Sequence, residues 1–312
     1  MAITAITQAN SRMRRLLNSL AILSLGLFAG SCRDLNVVSF NMFFEYDWTA
    51  QAHLAAHDSS RLWVNRCPVA RETFRKYRFD IVGTQELLTF QLEDLCRDGE
   101  YSWIGKDLWE RNDGLAEHEA IVYRNDRIKV LEWDQFWYSD TPEVSSTWGI
   151  HVKACTWGHF IDRASGHDFY LFNSHFHVTP KDWQKGADGH VLTAEEAVEI
   201  RVKSARLLVD RINAIVPEGK PVFVTGDLNS VPESAPVAAI LAGGFADARF
   251  CVSPKGPYGT WHAFKREASD ERIDYVFVRG KAKVKSYEVL SDQLETGRWS
   301  SDHLPVLVKV KI

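Results

Sequence analysis

The chain has 312 residues, of which 45% are hydrophobic and 25% charged. That is enough for one large domain or two small ones, and too apolar for a disordered chain. Lys and Arg total 37 against 41 Asp and Glu, a formal net of −4. The first 31 residues hold Arg12, Arg14 and Arg15 and no acid, so the remainder carries 34 basic against 41 acidic side chains, a net of −7. Sequence-blind nucleic-acid binding rests on phosphate neutralisation by Lys and Arg, so the acidity disfavours nucleic acid as partner without excluding a nuclease.

In chain order, the first predicted element is an export signal. A basic start at Arg12–Arg15 precedes an apolar stretch, Leu16–Gly30, broken by Asn18 and Ser19. The stretch falls short of the roughly 20 residues of a bilayer span and has the length of a signal-peptide core. It ends in Phe28-Ala29-Gly30-Ser31-Cys32, which resembles a bacterial lipoprotein signal. Residues 1–31 are expected to be such a signal, with Cys32 the lipidated N-terminus of an envelope protein that meets the membrane only through its anchor. Of the other cysteines (67, 96, 155 and 251), no CxxC or Cys/His pair suggests zinc, and their pairing stays open. Cys155, in a strand-like stretch, reads as a buried free thiol.

From residue 34 to the C-terminus no linker, low-complexity segment or repeat interrupts the pattern, and one domain, monomeric, is expected over 34–312. Short apolar runs recur at Leu35–Phe40, Asp80–Thr84, Ala120–Tyr123, Phe169–Phe172, Pro221–Thr225, Ile273–Val278 and Leu304–Val310. Their length and β-branched content predict strands, several buried on both faces. A helix is predicted from Pro68, in its first turn, to Tyr77. A longer one is predicted over Thr193–Ile215, where Thr193 and Glu196 fit a capping box and Val198, Val202, Ala205, Val209 and Ile212 recur at spacings of four and three. Interleaved strands and helices favour an α/β fold of two packed mixed sheets flanked by helices.

Polar residues gather where the runs stop or start. Asn41 closes the first, Glu86 follows the second, His175 closes the fourth, Asp227 and Asn229 follow the fifth, and Asp274 and Asp302-His303 open the last two. One Asp after a strand is an ordinary turn residue; a set made only of carboxylates, amides and imidazoles is not. Carboxylate and amide oxygens suit Mg²⁺ or Mn²⁺. Two histidines, each with an acid available, suit proton transfer. Together they describe metal-assisted phosphoester hydrolysis by activated water, and no P-loop, GxSxG elbow or Cys nucleophile offers another route.

The segments VVSFNM (37–42), DIVGTQEL (80–87), FNSHFH (172–177), GDLNSVPES (226–234), RIDYVFV (272–278) and SDHLPVLVKV (301–310) resemble, in order, the endonuclease/exonuclease/phosphatase superfamily. Trp63-x-x-Arg66, Gln91 with Leu95, NDGLAEHEAIVYR (112–124), FWYSDTPE (136–143) and CTWG (155–158) resemble its exported bacterial branch related to CCR4-type members. The resemblance implies the four-layer α/β/β/α DNase-like sandwich and a divalent metal. It implies Glu86 as principal metal ligand with Asn41 beside it, and Asp302 as a second metal ligand or orienter. Asp227 and Asn229 would position the attacking water. His303, held by Asp274, would act as base or as a protonated clamp. His175 would be the second histidine, with Glu117 its partner; Glu119 rivals that role, and only one of the two acids is expected to serve.

Lys153 stands where members resembling this chain often have Arg, and is a candidate phosphate contact. His177 stands where relatives usually carry Asp, and is a candidate substrate contact. Asn173 is expected merely to satisfy backbone groups, and His118, His151, His159, His167 and His262 to be structural or exposed. Leu88 takes a position where some secreted nucleases have a phosphate-gripping Arg. Residues 178–192 form a long polar loop in which Trp183 is a candidate for stacking on substrate. Eleven tryptophans are mostly expected in the core, six of them between 103 and 157, with Trp48 and Trp109 joining Trp183 as stacking candidates.

Acidity ranks a small phosphoester (nucleotide, sugar or inositol phosphate, or phospholipid head group) above extracellular DNA or RNA as substrate. A non-catalytic binding module would require loss of a core residue. Glu86, Asp227, Asn229, Asp274, Asp302 and His303 are all present.

Overall fold

Alternation along the strands decides the layering. The computed structural model describes residues 34–45, 58–110, 117–179, 185 and 189–312. The signal segment, Cys32, Trp48 and Trp183 lie outside the described residues. Asp34–Ile312 forms one compact unit. Its strands are β1 (Leu35–Asn41), β2 (Ile81–Gln85), β3 (Leu87–Leu88), β4 (Tyr101–Ile104), β5 (Glu117–His118), β6 (Ile121–Arg124), β7 (Ile128–Trp137) and β8 (Ala154–Asp162). They continue with β9 (Asp168–His175), β10 (Val222–Asp227), β11 (Ala246–Asp247), β12 (Pro254–Lys255), β13 (Asp274–Arg279), β14 (Lys283–Val289) and β15 (Val306–Lys311). One sheet runs β12-β14-β15-β1-β2-β6-β4, the other β11-β13-β10-β9-β8-β7, and β3 pairs with β5.

On β1, Val37 packs between the sheets with Ile81, Phe169, Leu171 and Phe223. Its neighbours Val38 and Phe40 turn outward onto the helices Trp63–Lys76 and Thr89–Cys96 through Trp63, Ala70, Phe74 and Leu92. On β10, Phe223 faces inward, while Val222 and Val224 meet Ala205, Leu208 and Ile212 of the helix Ala194–Ile215 and Val237 and Ile240 of the helix Ala235–Ala242. The period-2 pleat thus feeds three apolar seams and stacks four layers, as expected from the sequence. Each such side chain, fully buried, contributes about 1.5–3 kcal/mol.

A polar bridge crosses the central seam below the site. Buried Asn173 donates to the Thr84 and Ala120 carbonyls and accepts from Gln85 Nε2 (2.7 Å) and Thr225 Oγ1 (3.1 Å). A Cβ at Gly83 would fall 2.3 Å from Asn173 Oδ1, so the bridge requires glycine there. Ser39 Oγ accepts from Gly226 N at 2.9 Å, a second link between the sheets.

The first long helix departs from expectation. It begins at Trp63, so Pro68 is its sixth residue and not in its first turn. Buried Trp63 and Arg66 carry the helix N-terminal of the proline, whose ring removes one N–H from a turn that includes exposed Val64. Among the described residues no helix is long and apolar enough to cross a membrane.

Candidate active site

Strand direction brings the polar residues to one edge. β1 and β2 run parallel, pairing Asn41 with Gln85, and β9 and β10 run parallel, pairing His175 with Asp227. Antiparallel β13 starts at Asp274 opposite Asp227. His303 lies just before antiparallel β15 and forms a bridge with Trp261. Carboxyl ends of four strands and the beginnings of two therefore converge. Two of the residues that leave these strands turn through left-handed backbone, Glu86 (φ 70°) and Asn229 (φ 46°). Such backbone is costly for a glutamate and persists where the surroundings hold it.

Asn41 joins the two sheets at this edge. Its buried Nδ2 donates to Glu86 Oε1 (2.9 Å) and to Asp227 Oδ2 (3.0 Å), and its Oδ1 accepts from Phe43 N (3.1 Å). The amide thus aligns two carboxylates and a loop. Asp227 Oδ1 accepts Asn229 N at 2.9 Å, and the Asn229 amide lies 3.1 Å from His175 Nε2 and donates to the Phe176 carbonyl. His303 Nδ1 is 2.9 Å from Asp274 Oδ2, and its Nε2 lies 3.8 Å from Asp227 Oδ2.

Burial and crowding set the charges. Burial, with Glu117 and Asp302 nearby, raises Glu86 to about 7. Burial and Asp274 raise Asp227 to about 6, against the pull of His303, Asn229 and Asn41. For His303, burial opposes the charge, but Asp274, with Asp302 and Asp227 behind it, outweighs it and holds the ring protonated well above the usual imidazole range. His175 moves the other way: burial, then Lys153 and His303, hold it far below that range.

The surroundings of His175 differ from expectation. Lys153 Nζ sits 2.9 Å from its Nδ1, Glu119 lies 3.6 Å from the same nitrogen, and Asp227 lies 3.6 Å from Nε2. Glu117 instead lies 3.5 Å from Lys153, with Glu119 3.9 Å away. Residues two apart on an extended chain share a face, so both acids point into the site, contrary to the expectation that only one would serve. Glu119 is fully buried and raised well above the carboxylate range by burial. Lys153 is buried, not solvent-exposed; burial works against its charge, but Glu117, Glu119, Glu86 and Asp227 outweigh that and raise it.

His177 is corrected from substrate contact to loop fastener. Its Nε2 accepts from Ile150 N (3.0 Å) and His151 N (3.3 Å), and its Nδ1 donates to the Val178 carbonyl (2.6 Å). A Cβ on Gly149 would collide with the ring at 2.3 Å. Both nitrogens are committed to backbone, which leaves none for a ligand.

Among the described residues, two groups bring potential ligand atoms within 4.8 Å: Glu86, His175 and Asp227, and Asp227, Asp274 and His303. Asp302 is in neither; its carboxylate accepts from Trp261 Nε1 (3.4 Å) and Ser301 Oγ (3.4 Å) and reaches Glu86 and His303 through charge. Buried oxygens with raised proton affinity, crowded at this edge, fit a hard divalent cation. Several supporting residues carry no signal in the sequence. Gln293 Nε2 donates to the His303 carbonyl (2.7 Å), Ser301 Oγ to the Asn41 carbonyl (2.7 Å), and Thr260 Oγ1 accepts Asp274 N (3.1 Å).

This fold and site place the chain in the endonuclease/exonuclease/phosphatase family, to which it belongs: the family's sequence pattern matches residues 38–303. That makes it a phosphoester hydrolase by descent. A mannosyl-6-phosphatase from Bacteroides thetaiotaomicron is similar at 28% identity and TM-score 0.74, over 89% of this chain and 100% of that one. A family protein from Bacteroides vulgatus is similar at 29% identity and TM-score 0.73, over 89% and 99%. D. rerio TDP2 complexed with single-strand DNA product shares the fold at 20% identity and TM-score 0.62, over 89% and 99%. A comparison with curated proteins gave no match.

Proposed function

We propose that the protein is a Mg²⁺- or Mn²⁺-dependent phosphoesterase that hydrolyses small phosphoesters at a bacterial cell envelope, held there by a lipid on Cys32. The observation that carries the hydrolytic reading is the Asn41 amide joining Glu86 and Asp227 across the sheets, with the His303–Asp274 pair beside them. Glu86, aligned by Asn41, and Asp227 would hold the cation. The cation supplies polarisation of the phosphoryl oxygen and neutralises charge that develops in the transition state.

The chain's own residues divide the remaining work. Asp227, next to His303 and His175 at the edge where the sheets meet, would orient the attacking water. Asn229 N fixes one oxygen of that carboxylate. His303, kept cationic by Asp274, donates to a phosphate oxygen and favours the clamp over the base. Lys153, charged and buried, offers a second cation to the phosphate side. Asp302 acts on His303 and Glu86 through charge.

A sugar phosphate is the first substrate to try. The acidity of the chain disfavours a polyanion, and the similar Bacteroides protein is named as a mannosyl-6-phosphatase. The test is a panel of mannose 6-phosphate, other sugar phosphates, inositol phosphates, nucleotides, phosphodiester lipids, RNA and plasmid DNA. Preferred turnover of a small ester supports the reading; preferred cleavage of nucleic acid replaces it with a nuclease, and no turnover with a binding module. For the anchor, Cys32→Ser is expected to release the protein from membranes, and unchanged retention would count against lipidation.

A further inference from the structure

We propose that Arg66 is a positioning residue for the reaction, one buried guanidinium that clamps the loop leaving β1 to the segment carrying Asp302 and His303. Arg66 is fully buried in the helix Trp63–Lys76. Its Nη1 donates to the Met42 carbonyl (2.8 Å) and the Ser300 carbonyl (3.1 Å), its Nη2 to Phe43 (2.9 Å) and its Nε to Arg61 (2.6 Å). Met42 and Phe43 follow Asn41 directly, and Ser300 stands two residues before Asp302. The rings of Phe43 and Trp63 cover the guanidinium at 5.4 and 5.2 Å.

Three features make this more than packing. Phe43 holds a left-handed backbone (φ 57°), which costs energy that the carbonyl contacts on both sides of it offset. Burial lowers Arg66 to about 10, so it stays charged at neutral pH with the fields of Glu45, Asp302 and Glu86 upon it. The planar fork meets four converging carbonyls, a geometry that a lysine ammonium on its flexible stem does not reproduce. Arg66 touches no reacting atom. It acts through the spacing between Asn41, at the end of β1, and His303, just before the neighbouring strand β15.

The proposal rests on the hydrolytic reading of the site, and its test separates the two. Arg66→Met and Arg66→Lys are compared with wild type and with Arg127→Met, a buried arginine paired with Asp162 at the far end of β8. Amide hydrogen exchange is followed in metal-free protein at residues 42–45 and 299–303, and kcat and KM on the best ester of the panel. Both segments are expected to lose protection together in the Arg66 variants and to keep it in Arg127→Met. A misplacement of about 1 Å costs on the order of 100-fold, so kcat is expected to fall about 10- to 100-fold with KM little changed. Added methylguanidinium is expected to restore part of the kcat of Arg66→Ala. Wild-type kcat in folded Arg66→Met, or loss of protection in one segment alone, overturns the proposal. If wild type cleaves no ester, the hydrolytic reading fails, and the exchange result alone decides the clamp.

Discussion

His303 and His175 stand beside one aspartate in opposite states, and the charges around each equally buried ring set the difference. Asp274 keeps His303 charged against its burial, whereas burial and Lys153 keep His175 neutral. Asp274→Asn removes the largest favourable charge on His303, so its pKa is expected to fall and the alkaline limb of the kcat/KM profile to move to lower pH. An unmoved limb would take His303 out of the charged state assigned to it. The identities at the site were legible because each polar residue interrupts an apolar run: Asn41, Glu86, His175, Asp227, Asp274 and His303 all sit at strand ends. Their partners were not. Whether Glu117 or Glu119 faces His175, and that Lys153 comes between them, depends on how β5 crosses to β8, which no local pattern encodes. The loop-fastening role of His177 was hidden likewise, since the donors to its Nε2 are backbone amides 26 and 27 residues away.

At the scale of elements, the capping box at Thr193 was readable and is present: Thr193 Oγ1 accepts Glu196 N (3.1 Å) and Glu196 returns to Thr193 N (2.8 Å). Thr193→Ala is expected to cost about 1 kcal/mol in chemical denaturation, with activity preserved. No change in midpoint would mean the helix end is held by packing alone. Continuous apolar runs located the strands buried on both faces, β1, β2, β9, β10, β13 and β15, and nearly all of the site hangs from these. β14 escaped because its buried residues, Val284, Tyr287 and Val289, are separated by polar ones, with a bulge between Val284 and Ser286. β7 escaped for a related reason: residues 131–134 are exposed, so a ten-residue strand shows an apolar run only at its end. The helix begun at Trp63 was misplaced because Pro68 reads as a start signal, and only tertiary burial of Trp63 and Arg66 overrides it.

Across the whole molecule, acid is expected to act through histidines buried in neutral form. Burial lowers His118 and His177 to about 4. Between pH 4 and 6.5 the unfolded chain binds more protons at these positions than the folded one, so stability is complete above that window and lost as pH falls through it. Each contributes up to roughly 3 kcal/mol across the window. Urea denaturation at pH 7 and pH 4.5 checks this: the midpoint is expected to drop at the lower pH, and the drop to shrink in His177→Asn. A midpoint unchanged by acid would contradict the neutral state of these buried rings. The central claim is that the converging strand ends form one metal-dependent hydrolytic site, and phosphate release from the best small ester, with and without chelator, tests it most directly. EDTA is expected to abolish turnover, Mg²⁺ or Mn²⁺ to restore it in wild type, and neither metal to restore it in Asp227→Asn; chelator-resistant turnover, or a fully active Asp227→Asn, would contradict it.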